Sequence, residues 1–180
     1  MNQPSRVLTG SVLSGLLELL AIEWEHYKRD MPDGDCLSQD MCLLSTTYLY
    51  WLFKHAGLGG WEPMEGVGQD EQGDDNPGGM VAVDGRWYSH NWLAHHSGAI
   101  LDLTADQFGH DQIILSSTSD PRYHANRPPA YAMERLQSCK LGKEWLEFQL
   151  DDGDSMKILG PILTALRPGW TSELSPQAYP

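Results

Sequence analysis

Residues 85–109, GRWYSHNWLAHHSGAILDLTADQFG, constrain the fold of this chain more than any other segment. They read as two strands joined by the polar, small-residue stretch His95 to Gly98, because aromatic and apolar residues flank a turn signal on both sides. A hairpin is the simplest arrangement. Alternation places Tyr88, His90 and Trp92 on one face of the first strand, and a turn centred near His96 sets Asp102 opposite His90 on its partner. In such a pair the carboxylate fixes one imidazole nitrogen and leaves the other free to exchange a proton. Taken singly, His90 also reads as a satisfied core histidine and Asp102 as a strand-end turn residue. Their joint placement is what points to chemistry.

The segment DMCLLSTTYLYWLFKHAG reads as a helix capped by Asp40, with Met41 and Cys42 in its first turn and Gly57 closing it. A thiol in a first helical turn faces unpaired N–H groups and the positive end of the dipole, which favour the thiolate, the attacking species. A lone cysteine on a Leu-rich helix is ordinarily a small buried apolar residue, so its assignment as a nucleophile leans on His90 and Asp102. Cys36, which follows Gly34 and Asp35, is the competing thiol, since a glycine-flanked loop could bring it to the same histidine. Cys42 is preferred because the helical pattern stands directly behind it, whereas Ser38, Gln39 and Asp40 favour caps and turns.

The order Cys, His, Asp, with CLLS and YLYWL on the helix, HNWL on one strand and ILDLTADQFG on the next, resembles transglutaminase-like, papain-related cysteine enzymes. It is most similar to small bacterial and phage-associated members, including the leader-peptide-cleaving proteases of lasso-peptide pathways. The similarity covers mainly residues 40–110, and ILDLTADQFG is its most specific piece. The resemblance implies an α+β, papain-like core in which a nucleophile-bearing helix packs on an antiparallel sheet. It makes Cys42 the nucleophile, His90 the general base and acid, and Asp102 the orienting carboxylate, with Trp92 and Gln107 in support. Related thiol hydrolases place a side-chain amide just upstream of the nucleophile to help bind the oxyanion. Gln39 matches that position, and also reads as a solvated loop glutamine. The implied function is a cysteine-dependent amide-bond hydrolase, a peptidase acting on a peptide or protein through a thioester. Protein glutamine deamidation or transglutamination uses the same route, and a catalytically silent protein-binding module is a further alternative. None of these needs a cofactor.

Length and composition fit one domain over residues 1–180, with 41% hydrophobic residues able to form a sizeable core. A net charge of −13 argues against binding nucleic-acid backbones and favours basic peptide partners. Three cysteines, Cys36, Cys42 and Cys139, do not make a disulfide framework, so a reducing, cytoplasmic setting is expected. A Cys36 to Cys42 disulfide would silence the nucleophile. The apolar stretch Val12 to Ile22 is interrupted by Glu18, runs into Glu23 and lacks a small-residue cleavage site, so it does not read as a signal peptide. No segment is long and apolar enough to span a membrane. Instead Leu13, Leu16, Leu17, Leu20, Trp24 and Tyr27 recur at helical spacing, predicting an amphipathic helix over 10–29 with Glu18, Glu23 and Glu25 on its polar face.

Residues 59–79 read as an exposed acidic, Gly-rich loop, a candidate lid or recognition loop ahead of the His90 strand. Asp70, Glu71, Asp74, Asp75 and Asn76 lack calcium-loop spacing. His95 and His96 are adjacent, so they point to opposite faces and are poorly arranged to join His90 around a metal, and no metal site is expected. A turn or short helix is predicted over 104–109, a strand over 112–116, and a Pro-rich loop over 116–131 that borders the cleft. A helix over 131–150 is interrupted near Gly142, the apolar run 156–166 is broken at Gly160-Pro161, and 167–180 form an irregular tail anchored by Trp170.

Overall fold

The hairpin forms and occupies the middle of the main sheet. In the computed structural model, which describes residues 7–30, 36–70 and 72–167, strands β4 (His90–His95) and β5 (Ala99–Asp102) pair antiparallel with Leu93 facing Leu101. β1 (Trp61–Gly66) joins β4, and β6 (Ile114–Ser117) joins β5, giving the order β1-β4-β5-β6. A second antiparallel sheet has the order β3-β2-β7, built from β2 (Gly79–Val81), β3 (Trp87–Tyr88) and β7 (Tyr123–His124). Five helices complete the α+β architecture: α1 (Gly10–Lys28), α2 (Cys42–His55), α3 (Pro129–Ser138), α4 (Lys140–Asp151) and α5 (Ser155–Leu166). Among the described residues, no helix is long and apolar enough to cross a membrane.

Period-two alternation divides the hairpin between two cores. Leu93, Leu101 and Leu103 point to the helices, where they join Leu16, Leu20, Tyr48 and Leu52. Trp92 and Ile100 point to the opposite face and pack with Met80, Phe108 and Tyr123 from the second sheet and the 3₁₀ turn Ala105–Phe108. Both faces of β4 and β5 are therefore covered.

α2 ends as its sequence predicts. Gly57, at φ +75°, lets its N–H reach the Lys54 carbonyl while the Leu58 N–H reaches Phe53, which closes the helix and buries Leu58 in the same core as Phe53. Its start is different from expectation. Asp40 does not cap the helix; it adopts a left-handed conformation at φ +62°, and Met41 takes the cap position without a side-chain hydrogen bond. An aspartate tolerates this conformation better than most residues, and its N–H is held by Gln107 Oε1 at 3.3 Å.

Other differences trace to tertiary packing. Within 59–79, Trp61–Gly66 is a strand, with Pro63 accepted because β1 lies at the sheet edge. The loop is confined to the residues between Gly66 and Gly79, where Asp70 Oδ1 accepts from the Gln72 and Asp74 N–H groups at 2.9 Å. Glu23, expected on the polar face of α1, is buried and accepts from Gln149 Nε2 at 2.8 Å, while Gln149 Oε1 accepts from Tyr48 at 2.7 Å. Burial raises the Glu23 pKa against the opposing Gln149 bond. Tyr27, expected on the apolar face, is exposed, with its ring edge on Trp145. The helix break expected near Gly142 falls at Cys139, and α5 runs through Gly160-Pro161 without interruption. An interior proline costs ~3 kcal/mol; burial of Leu159, Ile162, Leu163 and Leu166 offsets it. The stretch 116–131 contains β7 as well as loop. Glu71, the Gly34-Asp35 approach to Cys36, and the tail with Trp170 lie outside the described residues.

Gly142 is where α4 crosses α2. A Cβ there would stand 2.5 Å from the Leu44 carbonyl oxygen and 2.8 Å from Thr47 Cβ. Gly142→Ala is therefore expected to destabilise the fold by ~1–3 kcal/mol through overpacking, read as a lower urea midpoint. An unchanged midpoint would show that the two helices can separate at no cost.

Candidate active site

Cys42 is the first residue of α2 and is partly exposed. Met41, at the cap position, makes no side-chain hydrogen bond to the first-turn amides beside the sulfur. The Cys42 Sγ–H donates to Asn91 Oδ1 at 3.8 Å. His90 opens β4, on the strand that α2 packs against, and is buried at 1% exposure.

His90 Nε2 and Asp102 Oδ2 are 2.7 Å apart. The β4–β5 register, continued from Leu93 opposite Leu101, sets Asp102 across from Trp92 rather than His90, so the carboxylate reaches the imidazole diagonally. Every lone-pair site on the carboxylate is used. Oδ2 also accepts from Tyr123 Oη at 2.9 Å, and Oδ1 accepts from the Thr104 N–H at 2.8 Å and the Thr104 hydroxyl at 3.0 Å. Around the imidazole, Trp92 stacks at a centroid distance of 6.0 Å and Phe108 meets the ring edge-on at 4.8 Å.

This enclosure sets the charge state. Burial alone would lower the His90 pKa, but the charge and hydrogen bond of Asp102, aided by Cys42, raise it from 6.5 to about 10. Burial would likewise raise the Asp102 pKa, but His90, Thr104 and Tyr123 hold it below the ordinary carboxylate range. Both shifts favour the charged form of the pair. The second imidazole nitrogen, Nδ1, is buried and has no hydrogen-bond partner among the described residues. Cys42 is near enough to favour the imidazolium, yet its directional bond goes to Asn91.

The structure thus brings Cys42, His90 and Asp102 together. Trp92 lies on the imidazole. Gln107 ties the 3₁₀ turn to the residues before α2, donating from Nε2 to the Thr104 carbonyl at 2.8 Å and accepting the Asp40 N–H. Gln39 lies in the turn before α2 and lines the neighbouring cleft. Cys36 lines the same cleft and contacts Ser38 Oγ at 3.3 Å, and Ser38 in turn bonds Asp106. All three cysteines are free thiols. His95 bonds Ser97 and the Gly59 carbonyl and stacks on Trp61 and His96, away from His90. No group of metal-binding side chains converges among the described residues.

Three contributors are not apparent from sequence reasoning. Asn91 is hidden because strand alternation assigns it to the face opposite His90, although Cys42 reaches both. Tyr123 sits in a polar, Pro-rich stretch that gives no hint of a strand. Phe108 belongs to the ADQF segment, whose 3₁₀ turn could be expected but not its contact with the imidazole.

Two contiguous hollows of about 460 Å³ each share Asp40, Tyr88, Gln107 and Phe108 and adjoin the site through Asp40 and Phe108. Their carboxylates, Asp40, Asp75, Asp84 and Asp106, face one cation, Arg86. Comparison of the chain with known protein families, with curated proteins and with solved structures finds no match.

The two ionised groups have opposite linkage signs. The His90 contribution to stability is complete below about pH 6.5 and is lost as pH rises through about 10, because the folded state keeps a proton that the unfolded chain has released. The Asp102 contribution is present above the ordinary carboxylate range and is lost on acidification. Thermal midpoints should therefore decline between pH 6.5 and 10, with Asp102→Asn lowering the neutral midpoint and flattening that decline. An alkaline slope unchanged in Asp102→Asn would show that the pair is not ionised.

Proposed function

We propose that this chain is a cysteine-dependent amide-bond hydrolase, a single-domain peptidase with a papain-related, transglutaminase-like core. The observation that carries this reading is the buried His90–Asp102 pair, 2.7 Å apart, whose second nitrogen, Nδ1, has no hydrogen-bond partner among the described residues and neighbours a partly exposed thiol at a helix start. Buried ionisable pairs are costly to build, and one set beside a thiol and an open cleft has the composition of an acyl-transfer site.

The Cys42 sulfur attacks the amide carbonyl, forming the sulfur–carbon bond as the π pair moves onto oxygen. The Cys42 backbone N–H, directed out of the helix start, donates to that oxyanion. His90, kept protonated by Asp102, serves as counter-ion to the sulfur and gives its proton to the nitrogen as the carbon–nitrogen bond breaks. Water then attacks the thioester; its proton passes to His90, its hydroxyl stays on the acyl carbon, and the sulfur departs. None of these steps calls on a cofactor. The acidic lining of the cleft favours a basic segment of peptide or protein substrate. Glutamine deamidation and transglutamination share the same first half-reaction and differ in the acyl donor and acceptor.

In the native chain, iodoacetamide near pH 6 is expected to modify Cys42 at least tenfold faster than Cys139, as tracked by peptide mass spectrometry. His90→Ala removes this preference, and Cys42→Ala abolishes turnover without unfolding. Intact-mass analysis of candidate substrates then separates shortening, a gain of about one mass unit and crosslinking. Equal, slow, His90-independent alkylation would refute the hydrolase reading and leave a silent binding module.

A further inference from the structure

An acyl-transfer site needs at least two donors for the oxyanion, and the Cys42 N–H supplies one. We propose that Asn91 supplies the other, which makes its side-chain amide a catalytic group rather than a filler of β4. This rests on Cys42 being the nucleophile.

Asn91 is 6% exposed, and its Oδ1 lies 3.8 Å from the Cys42 sulfur. It is the residue after His90, and the strand directs it to the helix side while His90 faces the second sheet, so the two side chains flank the thiol from opposite faces of β4. The contact has a chemical limit. A carbonyl oxygen can accept from the thiol, but it repels the thiolate and the oxyanion that form in turn. An amide carries donor and acceptor on one planar group, so a half-turn about its terminal bond replaces Oδ1 with Nδ2 at the same place. Asn91 can therefore hold the thiol before reaction and donate to the negative charge during it. An aspartate or a leucine of similar size cannot do both.

Two further observations locate the charge here. The cap residue of α2, Met41, makes no side-chain bond to the first-turn amides, whose positive end favours an anion beside Cys42. His90 Nδ1 is buried without a partner among the described residues, as expected of a nitrogen whose partner is a reacting group. The cross-strand neighbour of Asn91 is Glu65, whose Oε1 accepts from Arg135 while its Oε2 is buried without a hydrogen-bond partner among the described residues. In the tetrahedral adduct the oxyanion on the carbon held by the sulfur lies between the Cys42 N–H and the Asn91 amide. When the tetrahedral adduct collapses, the oxygen pair returns to carbon, the leaving group departs and both donors are released unchanged.

The test separates a reaction that forms an oxyanion from one that does not. Acylation by p-nitrophenyl acetate passes through a tetrahedral oxyanion, whereas alkylation by iodoacetamide displaces iodide without one. Both rates are measured on the full chain, with the nitrophenolate burst corrected against Cys42→Ala and alkylation monitored at the Cys42 peptide. Asn91→Ala and the uncharged, similar-sized Asn91→Leu are expected to slow acylation about 10²-fold and to leave alkylation within about threefold. Circular dichroism confirms the fold, and Asn91→Leu guards against a cavity effect in Asn91→Ala. Parallel losses in both reactions, or no loss in acylation, would overturn the proposal; so would a selective loss in Gln39→Ala that the Asn91 variants do not share. A burst that survives Cys42→Ala would instead refute the nucleophile on which the proposal rests.

Discussion

Burying the His90–Asp102 pair is the constraint to which the rest of the site is subordinate. Taking two ionisable groups out of water costs several kcal/mol each unless geometry and hydrogen bonding compensate, and here the carboxylate receives donors from His90, Thr104 and Tyr123. Thr104 is local, two residues along, whereas His90 comes from the neighbouring strand and Tyr123 from farther along the chain. Thr104 leads into the 3₁₀ turn, and Tyr123 comes from β7 of the second, three-stranded sheet, which ties that sheet to the pair. Trp92, Phe108 and Tyr123 enclose the imidazole and keep the local dielectric low. The same enclosure that makes the pair expensive makes it strongly coupled.

The central strand β4 partitions the molecule. Its odd-numbered residues from Asn91 onward face the helices, and its even-numbered residues face the second sheet. The sulfur enters from the helix side and the imidazole is fixed from the other, so thiol and imidazole meet at the start of the strand. α2 must therefore be held closely in register with β4. The close crossing with α4 at Gly142, the closing turn at Gly57 and the Glu23–Gln149–Tyr48 network all bear on the position of that one helix.

Local patterns revealed the elements whose two faces have different polarity. The α1 periodicity, the hairpin around His96, and the helix behind Cys42 can each be read within a window of a few residues. The failures share a cause. Pro63, Asp40 and Pro161 are residues whose local preferences oppose the structure they adopt, and each is overruled by a partner remote in sequence: β4 for Pro63, Gln107 for Asp40, and the helical core for α5. Glu23 reads as a surface carboxylate until Gln149, far along the chain, brings it a donor.

By itself, the sequence determined that a thiol would begin a helix, that an imidazole and a carboxylate would lie on adjoining strands of a hairpin, and that the surface would be acidic. These come from spacing, propensity and charge, which are properties of neighbouring residues. Tertiary structure alone decided that Asp102 reaches His90 on the diagonal, that Tyr123 completes the carboxylate shell, that Asn91 touches the sulfur, and that the cleft opens beside Asp40 and Phe108. The physical reason is that a satisfied buried charge needs donors from several directions, and one or two neighbouring strands cannot supply them all. Folding brings the missing donors from elsewhere in the chain, where no local pattern distinguishes them from ordinary loop and strand residues.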